Sequence, residues 1–160
     1  MTSHWSVLSG NAIFGGMDKM KSMITSLRVA LSTVVLGVLT VSGMAQEFLT
    51  FEHGGQTRNY IYYAPADIEP GAPLVFVLHG YTDTGENAMN SFGMNDVADA
   101  AGFAVCYPQG AKDILTINHW NANLAVSEVD DIGFLSELAG FLQGERDLSE
   151  ANTFVCGMSN

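Results

Sequence analysis

The chain has 160 residues, 48% of them apolar, and its 17 acidic and 6 basic side chains give a formal net charge of −11. These values suit one domain with its own hydrophobic core and exclude a disordered chain. They also argue against nucleic-acid binding, because a protein neutralises phosphates with Lys and Arg. Two cysteines are too few for a disulfide framework. Cysteines and four histidines together match no zinc-binding spacing, so we predict no metal and no cofactor.

The N-terminal region has the features of an export signal. Residues 1–45 contain three basic side chains and one acidic side chain, whereas residues 46–160 contain three basic and sixteen acidic ones. The uncharged stretch 29–41 has the length of a signal-peptide h-region and is short for a membrane span. Small residues occupy the last and third-last positions before a cleavage site predicted after Ala45. We predict a signal peptide over residues 23–45 and secretion, with an uncleaved membrane anchor as the alternative.

Residues 1–22 precede this signal and show no steady hydrophobic period. Met17, Met20 and Met23 are each a more natural start, so we expect residues 1–22 to be an extension that results from a wrongly assigned start. The folded domain then comprises residues 46–160, and no stable membrane association is expected after cleavage. Its acidic charge gives no reason to expect an anionic polymer as substrate.

The first part of the domain is rich in strand signals. Residues 48–52 and 58–63 are β-prone runs on either side of Gly54-Gly55, which predicts an antiparallel hairpin. Residues 74–78 are apolar without alternation, which is typical of a strand covered on both faces in a parallel sheet.

Helix and strand signals then alternate. Apolar side chains in residues 94–101 follow the spacing of an amphipathic helix, with Gly102 as its C-cap. Residues 103–107 predict a second buried strand, and a polar loop is expected over 111–128.

Asp130 and Asp131 are expected to begin a second helix, because acidic side chains favour helix N-termini. Gly144 is expected to end it, and residues 153–156 predict a third buried strand. The predicted apolar face of this helix consists of Ile132, Leu135, Leu138, Ala139 and Leu142.

This order predicts a mostly parallel sheet with an antiparallel hairpin at its N-terminal side. Chemistry in such sheets gathers at the carboxyl ends of strands, where His79-Gly80 and Gly157-Met158-Ser159 lie. A glycine two residues before a serine, directly after a buried strand, is how the strained turn of a nucleophilic serine begins. We therefore predict Ser159 as a nucleophile. His79 is expected to be a buried histidine that satisfies loop carbonyls and not a base.

Several stretches in the domain match one known pattern in order and in approximate spacing. They are Arg58-Asn59-Tyr60 with Ala64-Pro65, Leu78-His79-Gly80-Tyr81, Tyr107-Pro108-Gln109-Gly110, Trp120-Asn121-Ala122, Val129-Asp130-Asp131-Ile132-Gly133-Phe134 and Gly157-Met158-Ser159-Asn160. With these stretches the domain resembles the N-terminal part of the polyhydroxybutyrate depolymerase-like esterases, which are close to the feruloyl and acetylxylan esterases.

The resemblance implies an α/β-hydrolase fold and a secreted serine esterase. Its substrate would be a polyhydroxybutyrate-type polyester or an acylated plant polysaccharide with feruloyl or acetyl esters. Ser159 would be the nucleophile, and the backbone N–H groups of Tyr81 and Asn160 would form the oxyanion hole. The resemblance also places His119 and Trp120 on the substrate side, where Trp120 either contacts substrate or packs.

Two departures from the family pattern stand out. Many relatives have cysteines after the Trp-Asn-Ala stretch, and residues 123–126 contain none. The family's acid and histidine follow the serine in the chain. We therefore expect a domain that is truncated after the turn of Ser159 (the nucleophile elbow), inactive and poorly soluble.

A peptidase or thioesterase on the same fold, and a non-catalytic pseudoenzyme or binding module, are the alternatives. Sequencing the gene beyond the codon for Asn160 separates the esterase from the non-catalytic alternative, since an open frame with a later Asp and His favours the esterase.

The predicted strand order also indicates whether the two cysteines can form a disulfide. Cys106 and Cys156 end strands that a third strand is expected to separate, and two strand spacings are about 9.6 Å. This separation is beyond the reach of a disulfide, so we predict two buried free thiols.

Overall fold

The computed structural model of the protein describes residues 46–122 and 127–160. The predicted N-terminal extension, signal peptide and cleavage site lie outside the described residues, and so does the segment 123–126. In chain order the elements are β1 (Glu47–His53), β2 (Gln56–Tyr63), β3 (Ala72–Leu78), α1 (Gly85–Phe92), α2 (Met94–Ala101), β4 (Ala104–Pro108), β5 (Ala111–Lys112), β6 (Asn118–His119), α3 (Asp131–Glu145) and β7 (Leu148–Gly157).

Five strands form one sheet in the order β1-β2-β4-β3-β7, and β5 and β6 form a separate small hairpin. β1 pairs antiparallel with β2, which pairs antiparallel with β4, while β3 runs parallel to both β4 and β7. The first turn is made by Gly54 and Gly55, whose φ angles of +57° and +76° suit the two-residue turns that match strand twist. The predicted hairpin and parallel strands are confirmed.

The sheet has a packed layer of side chains on each face. On one face, α3 packs its Phe134, Leu138 and Leu142 against Phe76 and neighbouring strand residues. On the other face, α1 and α2 pack against residues that alternate with the first set, among them Val77 and Tyr107. This alternation is the period of a strand, and it explains why the central strands read as continuous apolar runs.

α1 was not predicted from the sequence. Its residues are mostly polar, but Thr84 caps it by accepting a hydrogen bond from the N–H of Asn87 at 3.1 Å. Gly85 begins the helix so close to β4 that a Cβ there would lie 2.8 Å from the carbonyl oxygen of Tyr107. α2 is confirmed, and Gly102 caps it in the left-handed region at φ +72°.

α3 begins where predicted, and four of the five residues predicted for its apolar face, Leu135, Leu138, Ala139 and Leu142, pack against the core. Asp130 is its N-cap and accepts the N–H of Gly133 at 2.8 Å. Ile132, predicted in the apolar face, is 78% exposed, so that assignment is wrong, and Phe134 is buried instead. Phe134, Leu138 and Leu142 form a row with a spacing of four residues. The helix continues through Gly144 to Glu145, one residue past the predicted end.

β7 lies at one edge of the described sheet and pairs with β3 alone. Its predicted burial is wrong in this structure, because Phe154, Val155 and Cys156 are exposed. Cys106, in contrast, is buried, and burial raises the pKa of its thiol well above the usual value. β3 separates the two cysteines as predicted, and both are free thiols.

The described residues lie in one compact unit of the chain, Val41–Asn160. Among them, no helix has the length and apolarity needed to cross a membrane.

Candidate active site

Ser159 lies in a sharp turn directly after β7. Its φ of +65° is a left-handed conformation, which costs a residue with a Cβ about 1–2 kcal/mol. The side chain is exposed at the carboxyl edge of the sheet. Gly157 permits the turn to approach β3, since a Cβ at Gly157 would lie 2.8 Å from the carbonyl oxygen of Leu78. A strained, exposed serine in the sharp turn that follows a parallel strand has the backbone form of a nucleophile elbow.

The loop after β3 packs directly against this turn. A Cβ at Gly80 would lie 3.1 Å from the carbonyl oxygen of Met158 and 3.7 Å from the Cβ of Ser159. A side chain at this position would crowd the carbonyl oxygen of Met158, so Gly80 permits close packing of the loop against the turn. Thr82 is also left-handed, at φ +72°, which is rare for a β-branched residue and marks a second strained position at the site.

The side chain of Tyr81 points away from the turn and ties the loop to the β5–β6 hairpin. Its hydroxyl donates a hydrogen bond to Oδ2 of Asp113 at 2.9 Å, which raises the pKa of the phenol. Asp113 also accepts the backbone N–H groups of Leu115 and Ile117 through Oδ1. These hydrogen bonds, with the one to Ile117 foremost, lower the pKa of the Asp113 carboxyl. The hairpin therefore supports the loop that presents Tyr81.

His79 is buried beneath this loop, and both of its ring nitrogens are engaged. Nε2 accepts the N–H of Gly110 at 2.9 Å and lies 3.0 Å from Nε2 of Gln109, so Nδ1 carries the proton that it donates to the carbonyl oxygen of Gly80 at 2.7 Å. Burial lowers the pKa of the imidazole, which favours this neutral form. The expectation that His79 satisfies loop carbonyls is confirmed.

Trp120 connects the two halves of the site. Its indole N–H donates to the carbonyl oxygen of His79 at 2.9 Å, and the two rings lie 5.1 Å apart. Its backbone is paired with the side-chain amide of Asn160, whose Oδ1 accepts the N–H of Trp120 at 3.1 Å and whose Nδ2 donates to the carbonyl at 2.9 Å. Trp120 is 8% exposed, so the geometry gives it a supporting position between the loop and the elbow.

We expect Trp120→Phe to lower kcat by about 10- to 100-fold with little change in KM. The measurement uses the protein expressed from its whole open reading frame, which we call the full-length gene product. The phenyl ring keeps the packing but loses the N–H donor, and a displacement of about 1 Å at a reacting group can cost about 100-fold in rate. Steady-state kinetics on a soluble ester measures the effect.

Tyr107→Phe is the matched control, because it removes the hydrogen bond to Asn95 (2.7 Å) on the opposite face of the sheet. It should lower thermal stability to a similar degree without lowering kcat. Equal kcat values for the two variants would show that Trp120 contributes to stability alone.

The remaining histidines of the described residues do not contact Ser159. His119 is buried, with Nδ1 3.0 Å from the carbonyl oxygen of Ala111 and Nε2 without a hydrogen-bond partner. His53 lies on β1, with Nδ1 2.8 Å from Oε2 of Glu137. Residues 46–122 and 127–160 also contain no group of His, Cys, Asp and Glu side chains that could hold a metal ion.

A buried ion pair that was not predicted from the sequence holds together the elements around the site. Arg58 donates through Nη2 to Oδ1 of Asp131 at 2.7 Å and to the carbonyl oxygen of Gln109 at 3.2 Å. Oδ2 of Asp131 accepts the N–H of Asn121 at 2.7 Å, and the guanidinium lies 4.0 Å from the centre of the Phe134 ring. The pair thus joins β2, α3 and the loops on either side of β5 and β6. The one sequence feature that could have indicated this ion pair is the arginine among the residues of β2.

No protein-family model matches the chain. Among curated proteins, it is 25% identical over 105 residues to the bifunctional acetylxylan esterase/xylanase XynS20E of Neocallimastix patriciarum, and 29% identical over 109 residues to the candidate esterase NocK of Nocardia uniformis subsp. tsuyamanensis. Each match covers 66% of this chain but only 15% and 31% of the respective relative. The chain therefore spans less than a third of either protein.

Three solved structures resemble this chain over 71% to 82% of its length. An S-formylglutathione hydrolase from Agrobacterium tumefaciens matches with a TM-score of 0.62 and 18% identity, over 75% of this chain and 50% of that one. Acetyl xylan esterase from Aspergillus awamori matches with a TM-score of 0.54 and 18% identity, over 71% and 42%. A bacterial heroin esterase gives 0.55 and 19%, over 82% and 40%. The fold is that of the α/β-hydrolases, as predicted.

Proposed function

We propose that the protein is a serine esterase that hydrolyses carboxylic esters through an acyl-enzyme. The left-handed Ser159 at the end of β7, with the Gly80 loop packed against it, is the observation that carries this proposal. Its support is that Ser159 is exposed and that the loop carrying one of the two proposed oxyanion donors packs against its turn. The esterase names of the two curated relatives give independent support.

In the proposed reaction, Oγ of Ser159 attacks the ester carbonyl carbon and its proton passes to a general base. The backbone N–H groups of Tyr81 and Asn160 hydrogen-bond the carbonyl oxygen as it becomes negative. The C–O bond to the alcohol then breaks, and the base returns the proton to the leaving alkoxide. Water repeats the sequence on the acyl-enzyme and releases the acid.

The base is not assigned to a described histidine. In His79 both ring nitrogens are engaged, and neither His53 nor His119 is hydrogen-bonded to Ser159. In this fold the acid and the histidine follow the nucleophile in the chain. The proposal thus assigns the base to a residue outside the described part of the protein.

For the substrate we propose a polyhydroxybutyrate-type polyester or the feruloyl or acetyl esters of a plant polysaccharide. One curated relative is named for acetylxylan ester hydrolysis, which favours the second. Met158, next to Ser159, is an exposed apolar side chain that suits uncharged acyl groups. Export with cleavage after Ala45 is part of this proposal, since a plant polysaccharide lies outside the cell that makes the esterase.

A substrate panel tests the proposal on the full-length gene product. Hydroxybutyrate oligomers, methyl ferulate and acetylated xylan are compared with a peptide and a thioester, and p-nitrophenyl acetate reports the burst of acyl-enzyme formation. We expect a burst and hydrolysis of at least one oxygen ester. Turnover of the peptide or the thioester alone would favour the peptidase or thioesterase, and no turnover would favour a binding module.

A further inference from the structure

A polar cleft of about 280 Å³ opens beside β2 and β4. It lies at the same end of the sheet as Ser159, where the parallel strands have their carboxyl ends. Its wall nearest the serine consists of Gln109 and Gly110, which contact the ring of His79 at 3.0 and 2.9 Å. β3 separates β4 from β7, so two strand spacings, about 9.6 Å, lie between this wall and the elbow. The cleft is therefore close enough to hold a distant part of a substrate bound at Ser159.

The charge of this cleft is opposite to that of the domain. Residues 46–160 contain sixteen acidic side chains and three basic ones, Arg58, Lys112 and Arg146. Two of these three, Arg58 and Lys112, line the cleft. Lys112 is exposed and forms no ion pair with any residue of 46–122 or 127–160. Because Asp131 neutralises Arg58, the unpaired positive charge at the cleft is that of Lys112, and it points to an anionic ligand group.

Arg58 has hydrogen-bonding capacity to spare beside the cleft. It is 4% exposed, and its Nη2 bonds Asp131 and the carbonyl oxygen of Gln109. Its Nη1 has no hydrogen-bond partner in the described structure. A buried N–H without an acceptor costs about 1–3 kcal/mol. Because Nη1 is buried, a ligand oxygen reaches it only when the cleft lining moves aside. Asn59 adds an exposed amide to the lining.

We propose that this cleft binds a carboxylate on the substrate, at a distance from the ester bond that is cleaved. The inference rests on the proposed esterase function and narrows its substrate class. Guanidinium, ammonium and amide donors together are the groups that bind carboxylates. The carboxylate is either the free end of a hydroxyacid oligomer or the uronic acid of a substituted polysaccharide.

Binding to the Ser159→Ala form of the full-length gene product tests this proposal without turnover. Calorimetry compares the 3-hydroxybutyrate trimer as free acid with its methyl ester, and a xylo-oligosaccharide that carries glucuronic acid with the unsubstituted one. In one pair, the charged member should bind about fivefold more tightly, as expected for a single partly exposed charge pair. Added salt should weaken this preference. Which pair shows it identifies the source of the carboxylate.

Lys112→Gln should abolish the preference. Arg146→Gln is the matched control, because it removes the same charge outside the cleft, and it should leave the preference unchanged. Equal affinities within both pairs, no binding of any probe, or a preference that survives Lys112→Gln would overturn the proposal. Ester hydrolysis by the unmutated protein without a preference would reject the cleft alone. A preference without hydrolysis of any ester would reject the esterase alone.

Discussion

Ser159→Ala is expected to lower kcat for ester hydrolysis by about 10⁴- to 10⁶-fold, because loss of the nucleophile removes the acyl-enzyme route. KM should change little, since the substrate-binding surface remains. Ser136→Ala is the matched control, as Ser136 is an exposed serine on α3 whose hydroxyl donates to the carbonyl oxygen of Ile132. Steady-state kinetics of the two variants decides whether the effect belongs to Ser159.

Ser159→Gly tests whether the turn is strained, a question that loss of activity alone does not answer. Glycine adopts φ +65° without the steric cost that serine bears there, although it loses more backbone entropy on folding. We expect this variant to be inactive and to gain up to about 1 kcal/mol in free energy of unfolding. A decrease in stability would indicate that the turn is not strained and would weaken the assignment of Ser159 as an elbow residue.

Arg58→Ala is expected to lower the free energy of unfolding by about 3–5 kcal/mol. Asp131 is 5% exposed, and without the guanidinium its carboxylate would remain buried without a counter-charge. The contact with the Phe134 ring would also be lost. Urea unfolding measures the difference from the unmutated protein.

Arg146→Ala is the control for this effect. Arg146 also pairs with a carboxylate, Glu47, at 2.8 Å and lies over the ring of Tyr62, but both charged side chains are one-third exposed. Its replacement should cost about 1 kcal/mol or less. Arg58→Met combined with Asp131→Leu should recover much of the lost stability, because no buried charge remains. Similar losses for Arg58→Ala and Arg146→Ala would contradict the account.

The sequence predicted those parts of the fold that local patterns determine. The Gly54-Gly55 hairpin, the apolar runs of β3 and β4, and α2 with its Gly102 cap were predicted and are confirmed. α1 was missed because its polar residues hide a helix that is held by the Thr84 cap and by contact with β4. Ile132 was misplaced because apolar residues of α3 also occur outside the face that packs on the sheet, as the exposed Phe141 shows.

The contacts that assemble the site join residues that lie far apart in the sequence. Arg58 and Asp131 are 73 residues apart, and Trp120 and Asn160 are 40 apart. Periodicity reports only which face of an element is apolar, so neither pairing could be predicted from it. The turn at Ser159 could be predicted, because a glycine two residues before it, after a strand, reflects local backbone geometry, whereas its role as a nucleophile stays a prediction. The family resemblance added the roles proposed for Tyr81 and Asn160.

Covalent labelling tests most directly whether Ser159 is a reactive serine on a strained turn. The full-length gene product is treated with a fluorophosphonate, which phosphonylates activated serines, and the modified peptide is identified by mass spectrometry. The account predicts a single adduct on Ser159, and none in the Ser159→Ala variant. An adduct on another residue, or an unmodified Ser159 in a protein that hydrolyses esters, would contradict it.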